Sequence, residues 1–420
     1  MAFMDNIGWK KHYRINKIFM DDKIRKILEF VDKNNLYPDL RIIQGGADPE
    51  VIVDGKKVIM FSSNNYLGLA THPRTKQAAI EATKKYGTGS DGSRMLSGNL
   101  QIHRDFEIAI TKFKGGEDAI VWPTGYSANV GVITAITNPP KIGVGDFWQK
   151  KTIIISDELN HASIVDGCSL SKQKVVVYKH CDIQDLENKL KKYKSRRKLV
   201  VTDSVFSMDG DIAPLDTIAP LCKKYNALLM IDEAHSTGVL GKRGHGATDF
   251  FNLKAVKDID IILGTCSKAL ASTGGFVVGS KELIRYLRIA SRSYIFSTAM
   301  TPAASASLIT ALEVIDTEPW LREKMWENTE YMRKGLNQLG FDTCGSQTQI
   351  IPILIGSDKD AINFTRKLFD KGIFGPCVRW PAVPKGKARI RFTVMATHTK
   401  EQIDYLLKSC REIKDEIKIV

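Results

Sequence analysis

The sequence predicts an α/β fold: a large domain built on a mostly parallel central sheet, followed by a smaller α+β domain. Three observations carry this. The 420 residues exceed what one small core can organise, which favours two or three domains with one large sheet. Between about residues 60 and 300, short β-rich runs alternate with helical stretches, the pattern of parallel strands covered by helices on both faces. From about residue 305 the rhythm changes to long helices with few strands.

Taken in order, Ile24, Ile27, Leu28 and Val31 keep the spacing of an amphipathic helix, read as an N-terminal arm packed on the body, and Arg41 follows in a short extended segment. Residues 1–60 form this arm, 61–304 the large domain and 305–420 the α+β domain. The strand candidates of the large domain are Ala119 to Trp122, Thr152 to Ile155, Val175 to Tyr178, Leu199 to Val201, Leu228 to Ile231, Ile259 to Leu263 and Gly275 to Val278. In the last domain, Ile350 to Ile355 and Ala388 to Val394 read as strands flanking a helix around Ala361 to Lys371. Thr399 and Gln402 make a capping box for a closing helix whose apolar face is Ile403, Leu406, Leu407, Cys410 and Ile413.

Composition excludes several classes. Charged residues interrupt every apolar stretch near the N-terminus, so no signal peptide is expected, and no run is long enough to span a bilayer. Seven dispersed cysteines without C-x-x-C spacing support neither a disulfide framework nor a zinc site, so no metal is expected and the cytoplasm is the natural compartment. The formal charge of +14 is spread along the chain rather than gathered on one face, which argues against nucleic acid and leaves room for a polyanionic small substrate. Gly87 to Gly92 matches G-x-G-x-x-G but follows a helical stretch, where a dinucleotide loop must follow a strand.

In open α/β sheets ligands bind beyond the carboxyl ends of the strands. Here those positions bring His161 after Ile155, Ser207 after Val201, Asp232 and His235 after Ile231, and Lys268 after Leu263. Singly, each has an ordinary structural explanation. Jointly they meet the needs of pyridoxal phosphate chemistry: an amine to form a Schiff base, an acid to keep the pyridine nitrogen protonated, and an aromatic ring to stack on the cofactor.

Ser63 to Leu69, Gly89 to Gly98 followed by His103, Asn160 to Ser163, Val205 to Gly210, Asp232 to Gly238 and Lys268 together resemble the α-oxoamine synthases over nearly the whole chain. The resemblance implies the aspartate-aminotransferase-like architecture of pyridoxal phosphate enzymes of fold type I. It further implies that Lys268 carries the cofactor, Asp232 pairs with the ring nitrogen, His161 stacks on the ring, and His235 and Ser207 approach the phenolic oxygen. Gly125, Tyr126 and Thr265 would hold the phosphate, with Ser297 and Thr298 reaching the phosphate of a neighbouring subunit, so a homodimer with shared active sites is implied. Asn64 and Arg391 match groups that hold the amino-acid carboxylate, and Arg41 and Ser93 complete the implied substrate contacts.

The implied reaction joins a small amino acid to an acyl-CoA or acyl-carrier thioester, releasing the thiol and carbon dioxide. Glycine, alanine and serine remain open, as does acyl length; glycine C-acetyltransferase and 8-amino-7-oxononanoate synthase activities are the nearest. An aminotransferase or aldolase acting without a thioester is the alternative. Ala382 stands where oxononanoate synthases tend to place a threonine, and residues 138–149 read as an insertion, either a surface loop or a contact for an acyl group.

Overall fold

The computed structural model describes residues 10–33, 37, 40–138 and 152–417, with side chains of the first helix described from Asp21 onward. The 138–149 segment therefore lies outside the described residues apart from Asn138. The chain divides into two compact units, a small one drawn from residues up to Gln44 with Val53–Gly55, and a large one comprising Gly45–Ile52 and Lys56 onward.

In the small unit, the helix Lys10–Lys33 is followed by the strand Ile43–Gln44. The sequence predicts that its apolar stripe is packed, but Ile24, Ile27 and Leu28 are 47%, 61% and 46% exposed.

In the large unit, seven strands form the central sheet in the order Asp118–Trp122, Gly275–Gly279, Ile261–Thr265, Leu228–Asp232, Lys198–Asp203, Ile153–Asp157, Lys174–Tyr178. Gly275–Gly279 runs antiparallel to both its neighbours and the remaining pairings are parallel. Side chains alternate between two cores. Val200, Leu229, Ile231 and Ile262 join Phe106, Ile110 and Leu308 on one face, while Leu199, Val201, Met230 and Ile261 meet Val132, Ile133, Ile284 and Leu287 on the other. Burial on both faces is why these strands read as continuous apolar runs.

One strand sits two residues later than its apolar run predicts. Ile259 belongs to a turn closed by Val256 N–H to Ile259 O at 2.9 Å, and the strand itself is Ile261–Thr265. A third core gathers Ile351, Ile353, Ile390, Phe392, Phe364, Leu406 and Cys410 around a three-stranded antiparallel sheet of Ile350–Gly356, Ala388–Thr393 and Cys377–Val378. The closing helix, Lys400–Ile417, has the expected cap: Thr399 N–H donates to Gln402 Oε1 at 3.1 Å and Gln402 N–H to Thr399 Oγ1 at 3.3 Å. Among the described residues, no helix is long and apolar enough to cross a membrane.

Candidate active site

Parallel pairing sets the strand ends level. Asp203 lies opposite Asp232 in the ladder, and Asp232 opposite Leu263, so the residues after these strands emerge on one rim. There Gly125, Tyr126, Asn129, His161, Asp203, Ser207, Asp232, His235, Thr265 and Lys268 line a cavity of about 270 Å³. A larger hollow of about 650 Å³ opens at the opposite strand ends, among Lys194, Arg196, Lys223 and Lys257. It gathers surface cations around strand beginnings, whereas the smaller cavity brings together an amine, acids and imidazoles. The chemistry is at the smaller one.

Lys268 follows the strand Ile261–Thr265 in a loop closed by Cys266 N–H to Gly274 O and Ser272 N–H to Cys266 O, both 2.9 Å. Burial, and after it the positive Arg391, lower the proton affinity of the Lys268 amine, with Asp232 opposing them. A neutral amine, the nucleophilic form, is thereby brought nearer to ordinary pH.

Asp232 is buried, with Oδ2 accepting from Asn129 Nδ2 at 2.8 Å and Oδ1 from the Ala234 N–H at 2.9 Å. Burial raises its carboxyl above the usual range, with the two hydrogen bonds acting the other way. Asp203 is raised well above that range by burial and by the Asp232 charge, and its Oδ2 accepts from the His161 N–H at 2.8 Å. Two buried carboxyls therefore stand side by side in the ladder, each pushed up by burial, Asp203 also by the Asp232 charge.

His161 caps the helix Ala162–Leu170, its Nδ1 engaged with Ser163 Oγ at 2.7 Å. His235 is fully enclosed, and burial, then the charges of Lys268 and Arg391, push it well below the usual histidine value, so it is neutral. Its Nδ1 lies 2.7 Å from the Tyr66 hydroxyl, which also donates to Asn64 Oδ1 at 2.9 Å. A hydroxyl has one proton; with it given to Asn64, His235 carries its own on Nδ1 and presents Nε2 as an acceptor.

The helix Gly125–Thr137 starts at the cavity wall, capped by Thr124 Oγ1 accepting from Ser127 N–H at 3.0 Å. A Cβ on Gly125 would lie 2.8 Å from Thr265 Cβ, so glycine lets the helix start close against that strand. Backbone N–H groups of a first turn, with the Thr265 and Ser267 hydroxyls beside them, form an anion cradle. On the other flank, Arg391 donates through Nε to Ser207 O at 2.5 Å and through Nη2 to Asn64 Oδ1 at 3.4 Å.

The family model for class I and II aminotransferases matches residues 56–409. The 8-amino-7-oxononanoate synthase of Thermoanaerobacter pseudethanolicus is 45% identical over 401 residues, covering 95% of this chain and 98% of that protein. That of Lysinibacillus sphaericus is 46% identical, covering 96% and 100%. The chain belongs to the α-oxoamine synthases, within the class I and II aminotransferase family. Among solved structures, a serine palmitoyltransferase of Sphingomonas wittichii superposes with a TM-score of 0.87 at 30% identity, covering 95% of this chain and 98% of that one. A high-resolution structure of SPT with a PLP internal aldimine superposes with the same TM-score of 0.87 at 32% identity and the same coverage, 95% and 98%. An 8-amino-7-oxononanoate synthase from Francisella tularensis gives 0.72 at 27% identity over 86% of this chain and 99% of that one.

Measured against this α-oxoamine synthase site, some residues singled out from sequence are elsewhere. Ser297 and Thr298 do not line the cavity; Thr298 bridges to Ser93 and the Ala299 N–H donates to Gly92 O at 2.9 Å. Arg41 belongs to the small unit, where it pairs with Asp54 at 3.1 Å. Three participants escaped sequence reading: Asn129, Asp203 and Tyr66. Asn129 had one visible signal, an amide in an otherwise apolar helix, since a buried amide needs partners.

Proposed function

We propose that this chain is a pyridoxal-phosphate-dependent C-acyltransferase that joins alanine to the acyl group of a seven-carbon dicarboxylic thioester. The name shared by its relatives supports the substrate pair. In 8-amino-7-oxononanoate, the amine-bearing C8 and methyl C9 are an alanine that has lost its carboxylate, and C1 to C7 are a dicarboxylic acyl group ending in the C7 ketone. The observation that carries the reading for this chain is the meeting of the Lys268 amine, lowered in proton affinity by burial, with a buried Asp232 carboxyl in one cavity.

The residues present fit the cofactor. Lys268 offers the amine for its aldehyde, Asp232 the acid for its ring nitrogen, His161 a ring to lie over it, His235 and Ser207 polar contacts for its phenolic oxygen, and Gly125, Tyr126 and Thr265 the phosphate cradle. When bound, pyridoxal phosphate supplies an electron sink for the amino acid's Cα. This chain's own part is to place and move protons. Lys268, lowered by burial, would be the base that accepts the substrate's Cα proton. Arg391 and Asn64 hold the substrate carboxylate, the guanidinium fork suiting its two oxygens. Ser297 and Thr298 are assigned to the cofactor phosphate of a neighbouring copy in a homodimer, and Ser93 to substrate. Arg41 is assigned to substrate as the family resemblance implies.

The test is to add alanine, glycine and serine in turn to the holoenzyme with pimeloyl-CoA, or with the same acyl group on a carrier protein, and to follow thiol and carbon dioxide release. Release with alanine alone supports the proposal. Turnover with no thiol released from either donor would move the assignment to an aminotransferase or aldolase.

A further inference from the structure

Outside the cavity, His180, just beyond the strand Lys174–Tyr178, is held between two carboxylates. Its Nδ1 lies 2.9 Å from Asp157 Oδ1 and its Nε2 2.7 Å from Asp211 Oδ2, with the three side chains 24%, 0% and 21% exposed. The ring stands edge-on to Phe206 at 4.4 Å. Both nitrogens face carboxylates, so both carry protons and the ring is an imidazolium. Burial opposes that charge, but the two carboxylates outweigh it and push the group up to about 12. Atoms of Asp157, His180 and Cys181 lie within 4.8 Å of one another, yet an imidazolium has no lone pair for a cation. The cluster is a clamp held by protons.

What it clamps is a turn that reaches the active site. Asp157 ends a strand of the central sheet, while Asp211 closes the turn Phe206 to Asp211 through Phe206 N–H to Asp211 O at 3.1 Å. Within that turn, the Ser207 carbonyl takes the Arg391 Nε–H at 2.5 Å, and Met208 O and Asp209 Oδ1 take Arg389 Nη1 at 3.2 and 2.5 Å. Beside Asp211, Gly210 is pinned separately, since its carbonyl accepts from Gln347 N–H at 3.0 Å and Thr348 Oγ1 at 2.8 Å. His180 thus joins the strand end at Asp157 to the residue that closes the turn, with Cys181 Sγ 3.9 Å from the same Asp211 Oδ2.

We infer that His180 is a positioning residue: by tying Asp211 to Asp157 it fixes the Ser207 carbonyl that orients the Arg391 guanidinium toward the substrate carboxylate. This rests on the reading of Arg391 given above. Because Gly210 stays anchored to Gln347 and Thr348, losing the clamp loosens the turn without freeing it, and the effect falls on substrate binding.

The experiment titrates holoenzyme with alanine and reads the shift of the cofactor's absorbance, with KM and kcat alongside, for wild type, H180Q, D211N, R391K and the H180Q/R391K pair. Loss of one charged hydrogen bond predicts that alanine binds about tenfold more weakly to H180Q and D211N, with kcat within about twofold of wild type. In the R391K background H180Q should add less than about twofold, because both act through one guanidinium. D211N keeps the site testable if H180Q does not fold. Wild-type alanine binding in the folded clamp variant, or an H180Q effect undiminished in R391K, overturns the positioning role alone. Wild-type binding by R391K itself would instead overturn the carboxylate site and the inference with it.

Discussion

Glu233 follows Asp232 directly and forms a buried ion pair with Lys114, both side chains 0% exposed. Lys114 Nζ also donates to Thr237 Oγ1 at 2.8 Å and His245 O at 2.6 Å, while Glu233 Oε1 accepts from Thr248 N–H at 3.2 Å. Glu233→Gln keeps shape and the Thr248 contact but removes the charge and replaces the oxygen that accepts from Lys114 with an amide NH2. The cost has a ceiling, because Lys114 can escape by losing its proton: from an ordinary lysine value to pH 7 that is about 4–5 kcal/mol. This agrees with the roughly 3–5 kcal/mol expected for breaking a buried pair. Burial already lowers Lys114, with Glu233 opposing. In E233Q the folded chain binds fewer protons than the unfolded one between that lowered value and about pH 10, so its stability rises with pH there. Urea unfolding of the variant and wild type at pH 7, 8 and 9 should show a gap that narrows as pH rises, by at most about 1.4 kcal/mol per pH unit, the limit reached where Lys114 keeps its proton in wild type. The double variant K114M/E233L should recover most of the loss. A gap that does not change with pH, or a double variant as unstable as E233Q, would refute the reasoning.

Lys268→Ala should fold as judged by circular dichroism yet retain no pyridoxal phosphate after borohydride reduction and denaturation; thiol release surviving at wild-type rate would refute its role. Gly125→Ala places a Cβ 2.8 Å from Thr265 Cβ and should weaken cofactor affinity, read by fluorescence titration, by about tenfold or more. Tyr66→Phe strips the acceptor from the buried His235 Nδ1 at 2.7 Å and should lower stability by about 1–3 kcal/mol in urea unfolding.

The legible parts of the sequence were those whose physics is local. Strands buried on both faces show as apolar runs, and a ligand-side residue is the polar group that ends the run, which is how Asp232, His161 and Lys268 could be picked out. Ile259 shows the limit: an apolar residue ahead of a strand is indistinguishable from its first member until the turn at Val256 is seen. Asn129, Tyr66 and His180 were not legible because their meaning is a partner far along the chain. Asn129 reaches Asp232 across 103 positions, Tyr66 reaches His235 across 169, and His180 reaches Asp211 across 31.

The ladder also explains why the acid facing the cavity has a second acid beside it. Parallel register places Asp203 and Asp232 side by side, and two ionised carboxyls there would repel in a site with little water to screen them. The two acids are held differently. Asp203, raised well above the usual range by burial and by its neighbour, accepts the His161 N–H on one oxygen, which fixes the backbone from which the His161 ring extends. Asp232 accepts from Asn129 and the Ala234 N–H, two hydrogen bonds that favour its ionised form. A cationic ring nitrogen in the cavity would then meet one carboxylate rather than two, and its charge would draw Asp232 further toward the ionised form. Asp203→Asn, which mimics the protonated acid, should therefore be tolerated, whereas Asp232→Asn removes the charge that the proposed cofactor requires. Cofactor affinity in the two variants separates these roles: equal losses in both would mean that the pair acts as a unit and that no unequal sharing exists.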